Sequence, residues 1–182
     1  MTITSEMQIM DTIAMKRALH RMAHEILDRN NGPNQLVIVG LQTRGVFIAK
    51  RMASIIESIE NVEVPVGILD VTMYRDDFRI ALKQPTVKVT SIPFDVDGVT
   101  VVLVDDVFYT GRTVRSALDA IMHFGRPRRV ELAVIIDRGN RELPLVADYI
   151  GKHVTTLPNE EVRVRMIESD GVDEVTLVRI SE

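Results

Sequence analysis

The chain has 182 residues, of which 46% are hydrophobic and 26% charged, and its formal net charge is −4. These values are typical of a globular protein with a substantial core, and they exclude wholesale disorder. The acidic balance argues against a generally basic nucleic-acid binder but leaves room for a local basic face. Because the sequence contains no cysteine, disulfide bonds and thiolate metal sites are excluded.

The ends and the hydropathy of the chain favour a cytoplasmic protein. No segment has the length and apolar character of a membrane-spanning helix. Residues 1–10 lack the basic start and apolar run of a secretory signal. Since no repeat, low-complexity tract or linker divides the sequence, we expect a single domain over residues 1–182.

The first half of the chain alternates between helical and extended patterns. Residues 11–29 carry apolar side chains at helical spacing, and the Asn-Asn-Gly-Pro cluster that follows is expected to end this helix. Residues 36–39 are wholly apolar, as in a strand buried on both faces of a parallel sheet. A turn then leads to a predicted helix at 46–59 and a predicted strand at 64–73.

The second half begins with a polar, weakly periodic segment at 74–90, which predicts a long loop of the kind that is usually functional. A strand at 99–104, a helix at 113–124 and a strand at 130–136 follow. This alternation implies an open α/β sheet with right-handed crossovers. Residues 162–180 show apolar alternation on both sides of an Asp-Gly turn, which predicts an appended C-terminal hairpin.

The end of the most apolar strand carries the candidate chemistry. Val101–Val104 leads into Asp105 and Asp106, then into residues 107–113 and a predicted helix. In open α/β sheets, ligands bind beyond the carboxyl ends of the strands. Adjacent carboxylates there are costly to desolvate without a cation, a metal or sugar hydroxyls as partners. The alternative is that they only cap a turn and that Thr113 is an ordinary N-cap.

The residues after the two aspartates offer backbone amides, two hydroxyls and a glycine, and they lead into a helix N-terminus. Such a concavity binds phosphate through amide hydrogen bonds and the helix dipole. Together with the carboxylates, this pattern fits a ligand such as ribose 5-phosphate. The GxxxxGK[ST] motif is absent from the sequence, which disfavours a nucleoside triphosphatase.

Five strings in the chain resemble a known family. VVLVDDVFYTGRT at 101–113 resembles the signature with which type I phosphoribosyltransferases bind 5-phosphoribosyl-1-pyrophosphate (PRPP). GLQTRG at 40–45 resembles their pyrophosphate loop. LDVTMYRDDF at 69–78, and DRGNRELP at 137–144 with the nearby ADYIGK, resemble one subfamily closely. That subfamily is the bacterial pyrimidine-operon attenuation proteins, which are also uracil phosphoribosyltransferases.

The resemblance implies a fold and an assembly. The fold is α/β, of the type I phosphoribosyltransferase kind, with an open, mainly parallel sheet flanked by helices, a hood segment and a C-terminal hairpin. A flexible lid would occupy about residues 74–90, and the hood over the base would occupy about residues 137–160. A homodimer or a higher homo-oligomer is expected.

The resemblance also implies roles for particular residues. Asp105 and Asp106 would hold the ribose hydroxyls and, through the substrate, Mg²⁺, while Arg44 would neutralise the leaving pyrophosphate; these three are the expected catalytic residues. A solvated surface arginine is the structural alternative for Arg44, and Asp106 is only a candidate for the general base. The other expected substrate contacts are Thr43, Arg75, Tyr109, Thr110, Gly111, Arg112, Thr113, Asp137 and Arg138.

An RNA hairpin of the pyrimidine operon leader is the second partner that the resemblance implies, with UMP and UTP as co-regulators. An acidic chain can bind RNA only through a local basic face. The candidates for this face are Arg17, Arg21, His24, Arg141 and Lys152. The sequence departs from the family pattern at Asn140, Val146 and His20, and the loss of polar or cationic groups at the first two is expected to weaken RNA binding.

Two alternatives remain open. One is a regulator that senses nucleotides with little catalysis, which the Thr43-Arg44 loop and the long lid disfavour, because a pure sensor has less need to stabilise pyrophosphate. The other is a phosphoribosyltransferase for a purine base, which the DRGNRELP string disfavours.

Overall fold

The computed structural model describes residues 2–71 and 89–181, and in these residues it contains two β-sheets and four helices. Strands and helices alternate over residues 2–69 and again over residues 100–137. Their bounds are β1 Thr2–Met10, α1 Thr12–Asn30, β2 Leu36–Leu41, α2 Arg44–Glu60, β3 Val66–Leu69, β4 Thr100–Phe108, α3 Arg112–Ile121, β5 Arg129–Asp137, β6 Tyr149–His153, β7 Glu160–Arg165, α4 Ile167–Asp170 and β8 Glu174–Ser181.

The larger sheet has five parallel strands in the order β3-β2-β4-β5-β6. The smaller sheet is antiparallel, with the order β1-β8-β7. The prediction of an open parallel sheet flanked by helices, with a C-terminal hairpin made by β7 and β8, is therefore confirmed. None of the described helices is long and apolar enough to cross a membrane.

Helices cover both faces of the parallel sheet. On one face α1 and α2 contribute Met22, Ile26 and Met52, all fully buried, to one hydrophobic cluster. On the other face α3 contributes Ala117 and Ile121 to a second cluster. Because both faces are covered, the ends of the strands are where a ligand can reach the sheet.

Helix α1 begins and ends where the sequence predicts. The side chain of Asp11 caps its N-terminus by accepting a hydrogen bond from the N–H of Ala14 at 2.7 Å. At the other end Asn31 is left-handed with φ 54°, and Gly32 donates to the carbonyl of Leu27 at 2.9 Å. This is the asparagine-glycine ending that the cluster after residue 29 predicts.

The structure differs from the sequence prediction at several elements. Strands β1 and β6 were not predicted, and β4 continues to Phe108 instead of ending at Val104. Helix α3 ends at Ile121, because the next residues form tighter turns in which the N–H of His123 bonds the carbonyl of Ala120 at 3.1 Å. Nearly all of the predicted lid at 74–90, together with Arg75, lies outside the described residues.

A buried polar network joins the end of α1 to β5 and β6. The carboxylate of Glu131, whose side chain is 1% exposed, accepts hydrogen bonds from Tyr149 at 2.6 Å, Asn30 at 2.9 Å and Arg129 at 3.1 Å. Burial acts to raise the pKa of Glu131, but these hydrogen bonds outweigh it and hold the pKa below its ordinary value. The network therefore keeps a charged carboxylate in the interior.

We expect Tyr149→Phe to lower the free energy of unfolding by about 1–2 kcal/mol, because the buried carboxylate of Glu131 loses a donor. Urea denaturation measures this change. Since the folded pKa of Glu131 is lowered, its stabilisation is present above the ordinary glutamate pKa and is lost as the pH falls through the folded value. The difference between the variant and the wild type should therefore shrink in acid.

The control is Arg163→Gln, which removes an exposed pair with Glu161 and should change the stability by less than about 0.5 kcal/mol. Equal effects of the two substitutions, or a Tyr149→Phe effect that does not depend on pH, would contradict the role given to the network.

Candidate functional site

The parallel pairing of β2 with β4 brings two of the predicted loops together. Gly40 of β2 stands opposite Val104 of β4 in the ladder. Both strands run toward the same edge of the sheet. There β2 leads through Gln42 and Thr43 into α2, and the last residues of β4 include Asp105 and Asp106. The peptide bond between Gln42 and Thr43 is cis. The structure thus places Thr43 and Arg44 beside Asp105 and Asp106, as the sequence predicts.

Two glycines allow this close approach. A Cβ atom on Gly40 would lie 2.6 Å from the Cα of Val46 in α2. A Cβ atom on Gly45 would lie 3.2 Å from the Cα of Asp105 and even closer to the carbonyl oxygen of Val104. A side chain at Gly40 would separate α2 from β2, and one at Gly45 would separate the N-terminus of α2 from β4.

The two aspartates form a compact acidic pair. Asp105 is 8% exposed, and its carboxylate accepts the N–H of Asp106 at 2.9 Å. The carboxylate of Asp106 in turn accepts the N–H of Val107 at 2.9 Å. Burial, and then the negative charge of Asp106, raises the pKa of Asp105. Hydroxyl donors or a cation would stabilise this pair in its charged form.

Direct binding of a metal by protein side chains has no cluster to support it. Among residues 2–71 and 89–181, no group of three or more His, Cys, Asp or Glu side chains is arranged to hold a metal ion. Mg²⁺ usually takes most of its ligands from substrate oxygens and water, and such an ion would suit Asp105 and Asp106.

The loop from Tyr109 to Thr113 ends at the N-terminus of α3. Gly111 is the N-cap residue and has φ 94°, a left-handed conformation that glycine adopts without strain. Because glycine has no side chain, Gly111 itself makes no side-chain cap for the first N–H groups of α3. The hydroxyl of Thr110 accepts a hydrogen bond from the first of them, the N–H of Arg112, at 3.4 Å. Such a helix N-terminus is suited to an anion.

A segment that follows β5 holds this loop in place. The N–H groups of Glu142 and Leu143 donate to the carbonyl of Thr110 at 2.9 and 3.2 Å. The carboxylate of Glu142 binds Nε of Arg112 at 2.6 Å. A Cβ atom on Gly111 would lie 3.3 Å from the Cβ of Leu143. The sequence did not single out Glu142 or Leu143, because their contacts with the loop cross 30 or more residues of chain.

Two arginines of the same segment also pack on the loop. The guanidinium of Arg138 lies 3.9 Å from the centre of the Tyr109 ring. That of Arg141 lies 3.4 Å from the centre of the Phe108 ring and donates to the carbonyl of Tyr109 and to Asp137, each at 2.6 Å. Asp137 and Arg138 thus lie at the site, as expected. Arg141, whose side chain is 22% exposed, lies there as well, and its predicted RNA contact stays a prediction.

Arg44 has a partner that the sequence did not predict. Its Nε and Nη2 atoms donate to the two carboxylate oxygens of Asp170 in α4, at 3.2 and 2.9 Å. The hydrogen bond to Asp170, together with the charges of Asp170 and Asp106, raises the pKa of Arg44 above its ordinary value. The same hydrogen bond lowers the pKa of Asp170. Arg44 is therefore a bound and oriented side chain.

Four of the five predicted RNA-contacting residues lie on α1 and β6. Arg17, Arg21 and His24 are exposed on α1. Arg21 donates to the carbonyls of Ile150 and Gly151 in β6 at 3.0 and 2.8 Å. Lys152 of β6 is also exposed, and α1 lies directly beside this strand. These residues form a local basic face on an acidic chain.

The three departures from the family pattern are all at the surface. His20 lies on α1 between Arg17 and Arg21 and is exposed. Asn140 is exposed and has φ 57°, and Val146 is 83% exposed. The substitutions can therefore change the properties of the surface without disturbing the core.

Comparison with known proteins agrees with this geometry. The family model described as the phosphoribosyl transferase domain matches residues 5–166. The "Bifunctional protein PyrR" of Pelotomaculum thermopropionicum is 55% identical over 96% of this chain and 97% of its own length. The protein of the same name from Chloroflexus aurantiacus is 53% identical over 96% of both chains.

Solved structures agree at the level of the fold. A hypoxanthine phosphoribosyltransferase from Trypanosoma cruzi covers 94% of both chains with a TM-score of 0.73 and 16% identity. One from Staphylococcus aureus covers 93% of this chain and 90% of its own with a TM-score of 0.68 and 15% identity. Given the matched family model and the near full-length relatives, the chain belongs to the phosphoribosyltransferase family and, within it, to the PyrR proteins.

Proposed function

We propose that this protein is a uracil phosphoribosyltransferase, which converts uracil and PRPP to UMP and pyrophosphate. We further propose that it regulates pyrimidine biosynthesis genes by transcription attenuation, as an RNA-binding protein that responds to UMP and UTP. The observation that carries the enzymatic part is the meeting of Arg44, the acidic pair and the loop of residues 109–113 at one edge of the sheet. The resemblance to the pyrimidine-operon attenuation proteins supports uracil as the base.

The reaction forms a bond between a ring nitrogen of uracil and the anomeric carbon of PRPP, while the bond from that carbon to pyrophosphate breaks. Positive charge develops on the ribose in the transition state, as in glycoside chemistry. The protein's tasks are therefore positioning and charge stabilisation, with no covalent intermediate. In this proposal Asp105 and Asp106 accept the ribose hydroxyls, and Thr43 and Arg44 meet the leaving pyrophosphate.

The 5-phosphate would bind at the N-terminus of α3, in the loop from Tyr109 to Thr113. The left-handed Gly111 lets the chain turn there, and the N–H groups at the N-terminus of α3 are donors of the kind that a phosphate needs. The segment around Glu142 and Leu143 holds the loop in shape before the substrate arrives. A preformed phosphate site lowers the entropy cost of binding PRPP.

Mg²⁺ fits this site as a partner of the substrate. The pKa of Asp105 is raised by burial and by the charge of Asp106, and a nearby cation would favour the charged form of both carboxylates. When bound, Mg²⁺ supplies charge neutralisation on the pyrophosphate. Asp105 and Asp106 would hold it through the ribose oxygens.

The base would lie under the segment at about 137–160. The first residues of this segment already pack on the loop of residues 109–113, which is the proposed phosphate loop. Arg138 is fixed there by hydrogen bonds to the hydroxyl of Thr156 at 3.1 Å and the carbonyl of Glu160 at 2.7 Å. In the proposal the lid at about 74–90 excludes water from PRPP, and Arg75 meets the pyrophosphate. The hypoxanthine enzymes share the fold at 15–16% identity, which does not favour a purine base here.

The enzymatic proposal predicts UMP formation that depends on the acidic pair. Purified protein with PRPP, Mg²⁺ and labelled uracil should form UMP, and the double variant Asp105→Asn/Asp106→Asn should be slower by at least about a hundredfold, because it loses the charge that faces the developing cation. Asp119→Asn is the matched control, since it makes the same change on the exposed side of α3. It should retain wild-type activity.

Hypoxanthine and guanine, assayed in parallel, separate the alternatives. UMP formation without activity on either purine supports the uracil enzyme. Activity on a purine but not on uracil would mean that the protein is a phosphoribosyltransferase whose base is a purine. Binding of PRPP without turnover of any base would favour the nucleotide-sensing regulator.

The RNA-binding proposal is supported by the basic face of α1 and β6. Arg17, Arg21 and His24 are exposed on α1, and Lys152 is exposed on the neighbouring strand. RNA phosphates would be neutralised by these side chains, which makes the affinity depend on salt. By the same family resemblance we propose that a homodimer or a higher homo-oligomer presents two such faces to one RNA.

A transcribed hairpin from the pyrimidine operon leader tests this face, in the presence of UMP. Arg17→Gln should weaken binding severalfold and should lower the slope of log affinity against log salt by about one, because one phosphate contact is lost. Arg115→Gln on α3, whose side chain pairs with Asp119, is the control and should change neither quantity. If the two variants bind equally well, the face does not contact RNA.

A further inference from the structure

The connection between β7 and β8 reaches across to the pyrophosphate loop. Its residue Asp170 holds the guanidinium of Arg44 through both carboxylate oxygens, and the two residues are 126 positions apart in the chain. The carboxylate of Asp170 is itself fixed by the N–H of Met166 at 2.9 Å and by the hydroxyl of Ser169 at 2.8 Å. Arg44 is thus bound by a carboxylate that is itself held in place by two further hydrogen bonds.

The same connection is anchored to α2 at a second place. Arg51, two turns after Arg44 on the same face of α2, binds Glu168 at 2.8 and 2.7 Å and Asp173 at 2.8 and 2.8 Å. Asp173 also accepts the N–H of Ile167 at 2.8 Å. The connection is therefore held on α2 whether or not the bond between Arg44 and Asp170 is present.

The geometry of Arg44 leaves it able to act on a ligand. Asp170 engages Nε and Nη2, so Nη1 is the nitrogen that Asp170 does not use. The side chain is 37% exposed, and it is close enough to Asp106 for that carboxylate to raise its pKa. The guanidinium is thus bound to Asp170 and close to the charge of Asp106, at the edge where the two loops meet.

We propose that Asp170 is a positioning residue, which orients Arg44 toward the leaving pyrophosphate of PRPP. Arginine has a long side chain that loses considerable rotamer entropy when it is held in one place. A bidentate carboxylate removes that freedom before the substrate binds, so that less free energy is spent on ordering Arg44 in the transition state. This inference rests on the proposed function, because it assigns Asp170 a part in the same reaction.

The test is a double-mutant cycle with Arg44→Gln, Asp170→Asn and the double variant, measured as kcat/KM for PRPP with uracil and Mg²⁺. Asp170→Asn should lower kcat/KM by about tenfold, since Arg44 keeps its charge but loses its orientation. In the Arg44→Gln background the same substitution should have less than about a twofold effect, because the side chain through which it acts is gone.

Glu168→Gln is the matched control. It makes the same change from acid to amide in the same connection, but its partner is Arg51 instead of Arg44, and Asp173 still binds Arg51. It should leave kcat/KM within about twofold of the wild type. Thermal unfolding of every variant shows whether the fold is retained.

Several results would overturn the inference. One is that Asp170→Asn is as active as the wild type. Others are that it loses the same factor in both backgrounds, or that Glu168→Gln loses as much. Tighter PRPP binding by Asp170→Asn in a calorimetric titration would show that Asp170 competes with the substrate for Arg44. If the wild-type protein neither binds PRPP nor forms UMP, the proposed function itself fails, which is a separate outcome.

Discussion

The packing of Gly45 against the end of β4 sets the geometry on which the rest of the site depends. A side-chain atom at this position would meet the Val104 carbonyl and the Cα of Asp105, so the N-terminus of α2 can approach β4 only through glycine. Parallel pairing of Gly40 with Val104 fixes the relative height of the two strands. Arg44, which directly precedes Gly45, is thereby held next to the acidic pair. The packing of the backbone thus sets where Arg44 and the two aspartates lie, and hydrogen bonds then orient these side chains.

The phosphate loop depends on a different neighbour, the segment after β5. Because β5 lies next to β4 in the sheet, its following residues pass directly over the loop. Their contacts are mostly with backbone carbonyls, including the bond from Arg141 to Tyr109 at 2.6 Å. Contacts of this kind fix the path of the loop through its carbonyl groups. The loop itself therefore supplies the hydrogen-bond donors for the proposed phosphate, and the segment after β5 fixes the conformation of the loop.

The sequence predicted the parts of this molecule that depend on local patterns. Strands β2 and β4 are buried on both faces and appear as continuous apolar runs, and α1 is bounded by Asp11 and the asparagine-glycine cluster. Strand β6 was missed because it is short and polar, with Gly151 and Lys152 at the edge of the sheet. Strand β1 was missed because its partner is β8, at the other end of the chain. The bond between Arg44 and Asp170 has no local signal, since it depends on how two distant segments fold together.

A regulator that responds to UMP needs a physical connection between the nucleotide site and the RNA face, because the two binding events must each change the free energy of the other. Three contacts link β6 to the loop of residues 109–113. Lys152 on the basic face is followed by His153, whose Nδ1 lies 3.7 Å from the carboxylate of Asp137. Asp137 binds Arg141, and Arg141 binds the carbonyl of Tyr109 in the phosphate loop. A nucleotide that shifts this loop must therefore carry Arg141 with it or break its hydrogen bonds. Since Arg141 is also one of the predicted RNA contacts, either change would alter the surface at which RNA binding is proposed.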